Sequence, residues 1–213
     1  MVLYSDRVHA GKELATALAS YARRPDAIVL GLPRGGVPVA HEVASALELP
    51  LDVLVVRKLG VPGHEELAMG AVASGGAMFL NHDIVDRLGV RDDRLRAVVS
   101  RELAELERRE RAYRGHSEPL DLEGKTVLLV DDGIATGATV MSAVEATRSA
   151  GAANVVVAAP VGAPDSVARL RTVADDVVCP HTPPDFGSVG EWYATFGQIS
   201  DEEVGALLGA RSG

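Results

Sequence analysis

Two adjacent carboxylates, Asp131 and Asp132, are the residues of this chain with the clearest capacity for chemistry. They follow the unbroken apolar run 127–130, which is typical of a strand buried on both faces of a parallel sheet. After them come a loop of small residues and the helix-compatible segment 138–150. This order places the free backbone N–H groups of a helix start beside two carboxylates. The amides can bind a phosphate, and the carboxylates can bind hydroxyl groups or a metal ion.

Residues 127–139 resemble the phosphoribosyl pyrophosphate (PRPP) binding motif of the type I phosphoribosyltransferases. They read Val-Leu-Leu-Val-Asp-Asp-Gly-Ile-Ala-Thr-Gly-Ala-Thr, and Gly133 departs from the motif because a larger aliphatic residue is usual there. The resemblance implies that Asp131 and Asp132 bind the ribose 2′- and 3′-hydroxyls. It implies that the loop binds the 5′-phosphate through Ala135, Thr136, Gly137, Ala138 and Thr139.

The pattern of the whole chain predicts an α/β fold with a doubly wound, mainly parallel sheet of five strands, because buried apolar runs alternate with amphipathic segments. The predicted strands are 27–32, 51–56, 127–130, 155–161 and 177–179. A chain of 213 residues suits one domain with a small appendage. We divide it into a core, 1–179, with a flexible loop at 59–76 and a helical insertion at 83–114, and a C-terminal hood, 180–213.

A second glycine-rich turn, Pro33-Arg34-Gly35-Gly36, follows the first predicted strand. Taken alone, Gly35-Gly36 predicts an ordinary tight turn. In the family that the chain resembles, however, the pyrophosphate-binding loop has this position. The resemblance therefore implies that Arg34, Gly35 and Gly36 contact the diphosphate, Arg34 through charge-assisted hydrogen bonds. It also implies a cis peptide bond, not preceding proline, in this loop.

A basic pair, Arg57 and Lys58, follows the predicted strand 51–56. Such a pair can simply be solvated, but ligands also bind at the carboxyl edge of an open α/β sheet. We assign both residues to PRPP binding and Lys58 also to catalysis. The glycine- and proline-rich segment 59–76 is expected to close over the reacting sugar, with His64 and Glu65 as lid residues. The alternative for these two is an exposed polar loop.

Aromatic residues are concentrated after residue 180, although they make up only 4% of the chain. Base rates favour a hydrophobic flap that seals the sheet. The resemblance instead implies a hood that recognises the nucleophile. On that reading the acceptor-binding residues are Phe186, Trp192 and Tyr193.

Charge and cysteine content limit the partners and the compartment. The 21 basic and 30 acidic residues give a net charge of −9, which argues against a nucleic-acid or anionic-membrane partner. A single cysteine, Cys179, fits a reducing compartment, and neither a signal peptide nor an apolar run of about 20 residues is present. We expect a cytoplasmic protein. The apolar side of the predicted helix 92–114 would allow a homodimer contact.

The resemblance implies a magnesium-dependent enzyme in which a nitrogen nucleophile, a nucleobase or an amine, displaces pyrophosphate from C1 of PRPP. Mg²⁺ would be held mainly by PRPP and water, with Asp131 and Asp132 as its protein ligands. Enzymes for 6-oxopurines usually carry an aspartate at the position of Ala135 as a candidate proton acceptor, so the acceptor and the general base stay unassigned. The alternatives are a non-catalytic PRPP or nucleotide sensor and an inactive domain with the same fold.

Overall fold

The computed structural model describes residues 2–114 and 120–209. Its strands, in chain order, are β1 (Ala27–Gly31), β2 (Leu51–Val53), β3 (Val56–Val61), β4 (His64–Ala73), β5 (Met78–Leu80), β6 (Thr126–Val130), β7 (Asn154–Ala158) and β8 (Asp176–Val178). Its helices are α1 (Arg7–Ala17), α2 (Gly36–Leu47), α3 (His82–Arg87), α4 (Asp92–Arg114), α5 (Ala138–Ser149), α6 (Pro164–Leu170) and α7 (Asp201–Gly209). Short 3₁₀ turns occur at Ala19–Tyr21, Ser74–Gly76 and Val189–Trp192.

The main sheet has five parallel strands in the order β2-β1-β6-β7-β8, which confirms the predicted α/β fold. Every residue of β1 and β6 is buried, as their unbroken apolar runs predicted. Alternate side chains point to opposite faces of the sheet. Helices α1 and α2 cover one face through residues such as Leu14 and Val43, and α5 covers the other through residues such as Val144. The doubly wound arrangement is therefore confirmed.

A second, three-stranded antiparallel sheet, β3-β4-β5, corrects the prediction of a loop at 59–76. This segment contains the end of β3, the turn at Pro62-Gly63 and all of β4. Three of its glycines, Gly63, Gly75 and Gly76, have a positive φ, and the other two serve close contacts between strands. A Cβ on Gly60 would lie 2.7 Å from the carbonyl oxygen of Glu65, and a Cβ on Gly70 would overlap the carbonyl oxygen of Phe79. At Gly60 and Gly70, glycine therefore marks tight strand pairing rather than a loop.

The predicted strand 51–56 is also corrected, because it divides into two strands of different sheets. Strand β2 ends at Val53, and β3 begins at Val56. Leu54 and Val55, between them, are buried, and the Val55 amide donates to the hydroxyl of Ser74. The chain thus passes from the parallel to the antiparallel sheet just before the basic pair.

The helical insertion and α7 pack on the small sheet. Val98, Leu106 and Tyr113 of α4 and Val204 of α7 are buried in one cluster with residues of β3 and β4, including Leu59. The apolar stripe of α4 is thus covered within the chain, and the homodimer stays a prediction. Helix α7 lies in the segment that was predicted only as a hood. Within residues 2–114 and 120–209, no helix is both long and apolar enough to cross a membrane.

Candidate active site

The acidic pair and the glycine-rich turn meet at the carboxyl edge of the main sheet. Asp131 follows β6, and its amide donates to the carbonyl oxygen of Ala158 at 3.1 Å. Leu32 follows β1, and its amide donates to the carbonyl oxygen of Val130 at 2.9 Å. Both loops therefore leave the sheet from hydrogen-bonded neighbouring strands. The Pro33–Arg34 peptide bond is cis, which confirms that prediction.

Two glycines allow the turn to lie directly on the acidic pair. A Cβ on Gly35 would overlap the carboxylate of Asp132, and a Cβ on Gly36 would lie 2.6 Å from the carbonyl oxygen of Val130. Neither glycine has a positive φ, so close approach is what excludes a side chain. The structure thus brings the predicted residues Gly35 and Gly36 together with the acidic pair.

Gly35→Ala is expected to lower PRPP affinity by about tenfold or more, since the added methyl must displace either the turn or the Asp132 carboxylate. Isothermal titration with PRPP measures the effect. Gly209→Ala is a matched control, because a Cβ there meets nothing within 4 Å. Equal PRPP affinity in the two variants would contradict the contact.

The small-residue loop ends at the start of α5 in a form suited to a phosphate. Gly137 has a φ of +74° and precedes the first residue of the helix, and Ala135, Thr136, Ala138 and Thr139 are exposed. The first N–H groups of a helix have no intrahelical acceptor, and the helix dipole favours an anion there. The base of the loop is fixed, because the Ile134 amide donates to the Val161 carbonyl at 2.9 Å.

Arg169 is a neighbour of this loop that the sequence did not identify. One of its Nη atoms donates to the carbonyl oxygen of Thr136 at 3.1 Å and to the hydroxyl of Ser166 at 2.9 Å. In a trans peptide the C=O and N–H groups point in opposite directions. Arg169 therefore turns the Gly137 N–H away from α6, which orients the loop.

In each carboxylate of the acidic pair, one oxygen accepts a hydrogen bond from an N–H group and the other does not. Oδ1 of Asp131 accepts from the Asp132 amide at 2.9 Å, and Oδ2 of Asp132 accepts from Arg7 at 2.8 Å. Among the described residues, no N–H group donates to Oδ2 of Asp131 or to Oδ1 of Asp132, and the two carboxyl groups interact with each other. The pair thus offers two acceptors, one from each side chain.

Burial raises the pKa of both carboxyl groups above the usual aspartate range, because it disfavours the charged form. The charge of Asp132 raises the pKa of Asp131 further. The guanidinium of Arg7 acts in the opposite direction on both groups. Arg7 is therefore the cation that favours ionisation of the pair.

Arg7 was missed by sequence reasoning, which treated the first helix only as packing. Its side chain is 10% exposed, and that of Asp132 is 13% exposed. Nη1 of Arg7 donates to the carbonyl oxygen of Gly197 at 2.8 Å, and the guanidinium lies 3.9 Å from the centre of the Phe196 ring. Arg7 thus joins the acidic pair to the segment 195–198.

The predicted hood residues have different surroundings. Tyr193 is buried, its hydroxyl donates to the carbonyl oxygen of Asp132 at 2.5 Å, and burial raises its pKa. Phe186 and Trp192 stack on each other with ring centres 6.2 Å apart. In the same hood, Val189 fills the space beside Gly133, where a Cβ would lie 2.5 Å from its Cγ1. The departure at Gly133 thus has a physical reason, since the hood occupies that volume.

The basic pair and the lid residues belong to the small sheet. Lys58 is exposed on β3 opposite Ala71. His64 lines a cavity of about 510 Å³ with Arg91 and Arg94, between the turn of the β3–β4 hairpin and the start of α4. Glu65 lines a neighbouring cavity of about 260 Å³. The structure thus places the two lid residues against α4.

Arg57 forms an ion pair with Glu102 of α4, in which Nε lies 2.9 Å from Oε2. The Glu102 side chain is 9% exposed, so the pair joins β3 to α4. Arg57→Met is expected to lower the free energy of unfolding by about 1–3 kcal/mol, because it removes one of the two arginines, Arg57 and Arg101, that pair with the mostly buried Glu102 carboxylate. Urea unfolding measures this. A large loss of PRPP affinity with unchanged stability would show instead that Arg57 serves the donor site.

Arg34 is the predicted diphosphate ligand, and its side chain is accessible and only weakly paired. Its side chain is 49% exposed, and its ion pair with Asp201 is long, at 3.9 Å. Exposed pairs of this kind contribute little free energy. A diphosphate can therefore compete for Arg34.

Comparison with known proteins identifies the family. The phosphoribosyl transferase domain model matches residues 5–192. A protein from Mycobacterium tuberculosis H37Rv, provisionally named phosphoribosyl transferase Rv0571c, is 49% identical over 208 residues, which are 98% of this chain and 47% of that protein. The chain thus spans about half the length of the curated relatives it matches. The crystal structure of TT1426 from Thermus thermophilus is 42% identical, covers 100% of both chains and superposes with a TM-score of 0.89. The chain belongs to the phosphoribosyl transferase domain family.

Proposed function

We propose that this protein transfers the 5-phosphoribosyl group of PRPP to a nitrogen nucleophile, a nucleobase, with release of pyrophosphate. The observation that carries the proposal is the pair of oxygens, one on Asp131 and one on Asp132, to which no N–H group of the described chain donates, beside the glycine turn and the start of α5. Two carboxylate acceptors match the two ribose hydroxyls of PRPP. The 5′-phosphate would lie on the amides of residues 135–139, and the diphosphate would lie at Arg34, Gly35 and Gly36.

The reaction breaks the bond between C1 and the diphosphate oxygen and forms a bond between C1 and the acceptor nitrogen. The bonding electrons leave with the diphosphate, so positive charge develops on the sugar. Asp131 and Asp132 would hold the ribose and stabilise that charge from a fixed position. Arg34 would stabilise the negative charge on the leaving diphosphate. Lys58 is also proposed as a catalytic residue, because its side chain carries a positive charge.

Magnesium is part of the proposal, with Asp131 and Asp132 as the protein ligands. Carboxylate oxygens suit this hard cation. Among the described residues, no group of three or more His, Cys, Asp or Glu side chains could hold a metal by itself. The residues therefore fit an ion that takes most of its ligands from PRPP and water. Such an ion would supply positive charge beside the diphosphate.

We also propose that the protein works in the reducing cytoplasm. Cys179 is half-buried, and burial raises the pKa of its thiol to about 12. A thiol with so high a pKa is a poor nucleophile at neutral pH, which suits a structural cysteine in that compartment.

The test is release of pyrophosphate from PRPP and Mg²⁺ in the presence of a panel of nucleobases and amines, together with isothermal titration of PRPP alone. We expect PRPP to bind and at least one nucleobase to give a nucleotide product. Binding of PRPP without any product would support the alternative of a PRPP sensor. Absence of PRPP binding would refute the donor site itself.

A further inference from the structure

The first residue of α7 carries a carboxylate beside the predicted diphosphate ligand. Asp201 begins the helix, and its Oδ1 lies 3.9 Å from Nη1 of Arg34. The guanidinium that is expected to bind the diphosphate thus already has an anionic partner in the chain. A diphosphate and Asp201 are therefore rival partners of the same side chain.

The backbone at Asp201 is fixed by a reciprocal cap at the start of α7. The Ser200 amide donates to Oε2 of Glu203 at 2.7 Å, and the Glu203 amide donates to the Ser200 hydroxyl at 3.2 Å. This capping box pairs two N–H groups that a helix start otherwise leaves without an acceptor. The next residue, Val204, is fully buried in the cluster that joins α7 to α4 and the small sheet. The position of the helix start is therefore set by contacts that do not involve Arg34.

The side chain of Asp201 is held by a buried tyrosine of α4. Tyr113 is 5% exposed, and its hydroxyl donates to Oδ1 of Asp201 at 3.0 Å. Burial and, to a smaller extent, this hydrogen bond raise the pKa of Tyr113, so its hydroxyl stays protonated as a donor at neutral pH. The Asp201 carboxylate therefore has an anchor that does not depend on Arg34.

Arg34 is the movable member of the ion pair. Its side chain is half exposed, and the distance of 3.9 Å to Asp201 is longer than a hydrogen bond. Exposed ion pairs of this kind are weak. A diphosphate can offer the guanidinium short, charge-assisted hydrogen bonds in exchange. When the diphosphate leaves, the fixed carboxylate is still in place to receive Arg34 again.

We propose that Asp201 is a positioning residue that competes with the diphosphate for Arg34 and so favours the departure of pyrophosphate. The proposal rests on the transferase function proposed above and concerns only its donor half. Once the bond to C1 is broken, every contact that pyrophosphate keeps delays its release, and product release limits the turnover of many enzymes. A carboxylate fixed beside Arg34 weakens one of these contacts. Helix α7 is then part of the donor site.

The experiment is isothermal titration of the full chain with inorganic pyrophosphate and Mg²⁺, in which Asp201→Asn is compared with the wild type. Asparagine keeps an oxygen that accepts from Tyr113, but it removes the charge that competes for Arg34. We expect Asp201→Asn to bind pyrophosphate about two- to fivefold more tightly, the range that corresponds to an exposed ion pair. Damage to the fold would weaken binding, so a gain of affinity separates competition from a structural role. Glu107→Gln removes an exposed carboxylate of α4 and should bind as the wild type does.

A double-mutant cycle assigns the effect to Arg34. PRPP is titrated into Arg34→Met with and without Asp201→Asn, because the ribose and 5′-phosphate contacts of PRPP keep binding measurable. We expect the affinity gained through Asp201→Asn to disappear once Arg34 is replaced. Persistence of the full gain would mean simple charge repulsion, and unchanged or weaker pyrophosphate binding by Asp201→Asn would mean that there is no competition, so either result overturns the proposal. Failure of the wild type to bind PRPP or pyrophosphate would refute the donor site itself, and this proposal with it.

Discussion

Replacing both Asp131 and Asp132 by asparagine is expected to lower kcat/KM for PRPP by about 10²–10⁴-fold, at roughly 1.5–3 kcal/mol for each of two charged hydrogen bonds. Asparagine keeps the size of the side chain but removes the charge that would hold the ribose and stabilise the cationic transition state. Steady-state pyrophosphate release measures the change in rate. Circular dichroism checks that the variant is folded.

The matched control for this double variant is Asp93→Asn. Asp93 is an exposed carboxylate on α4, and it pairs with Arg91 at the surface. Loss of the Asp93 charge should leave PRPP turnover within about twofold of the wild type. Wild-type turnover in the Asp131→Asn/Asp132→Asn variant would remove the acidic pair from the mechanism.

Arg7→Gln is expected to lower the free energy of unfolding by about 2–4 kcal/mol, near the range for breaking a mostly buried ion pair. It leaves Asp132 without its counter-charge and Gly197 without its hydrogen-bond donor. We also expect PRPP turnover to fall by about tenfold or more, because Asp132 is no longer held in place. Urea unfolding and pyrophosphate release measure the two effects.

Two further variants sharpen this prediction. Arg23→Gln breaks an exposed ion pair with Glu48, in which the side chains are 75% and 60% exposed, so it should leave the midpoint of urea unfolding nearly unchanged. Arg7→Lys keeps the positive charge but lacks the planar guanidinium group with its several N–H donors. It should therefore be more active than Arg7→Gln but less active than the wild type. Equal stability of Arg7→Gln and Arg23→Gln would mean that the Arg7 ion pair has no special role.

The main sheet and the donor loops could be predicted because their signals are local. A strand buried on both faces must be apolar at every position, and residues 127–130 satisfy this within a few positions. The acidic pair, the small-residue loop and the helix start also follow one another directly in the chain. Local order was therefore enough to assemble this half of the site.

The hairpin could not be predicted by the same reasoning, because its glycines have two physical explanations. Glycine marks a loop when the backbone needs a positive φ, but it also permits close approach of a neighbouring backbone. At Gly60 and Gly70 the second explanation holds, and the partners are residues of adjacent strands. Choosing between the two requires knowledge of the strand pairing.

The contacts of Arg7 could not be predicted because they connect distant parts of the chain. Its partners Asp132 and Gly197 are 125 and 190 residues away. The bond from Tyr193 to Asp132 spans 61 residues. No spacing rule within one helix or loop reports such pairs, and Arg7 by itself is typical of a solvated first turn.

The chain contains one tryptophan, Trp192, and its position makes the protein its own fluorescent reporter. The carbonyl oxygen of Trp192 accepts hydrogen bonds from the Leu3 and Tyr4 amides at 3.0 Å, and the next residue is bonded to Asp132. Its emission therefore originates from the point where residues 3 and 4 and the hood meet the donor site. A titration followed by tryptophan emission can reveal rearrangement at that point in real time, without a dye or an engineered label.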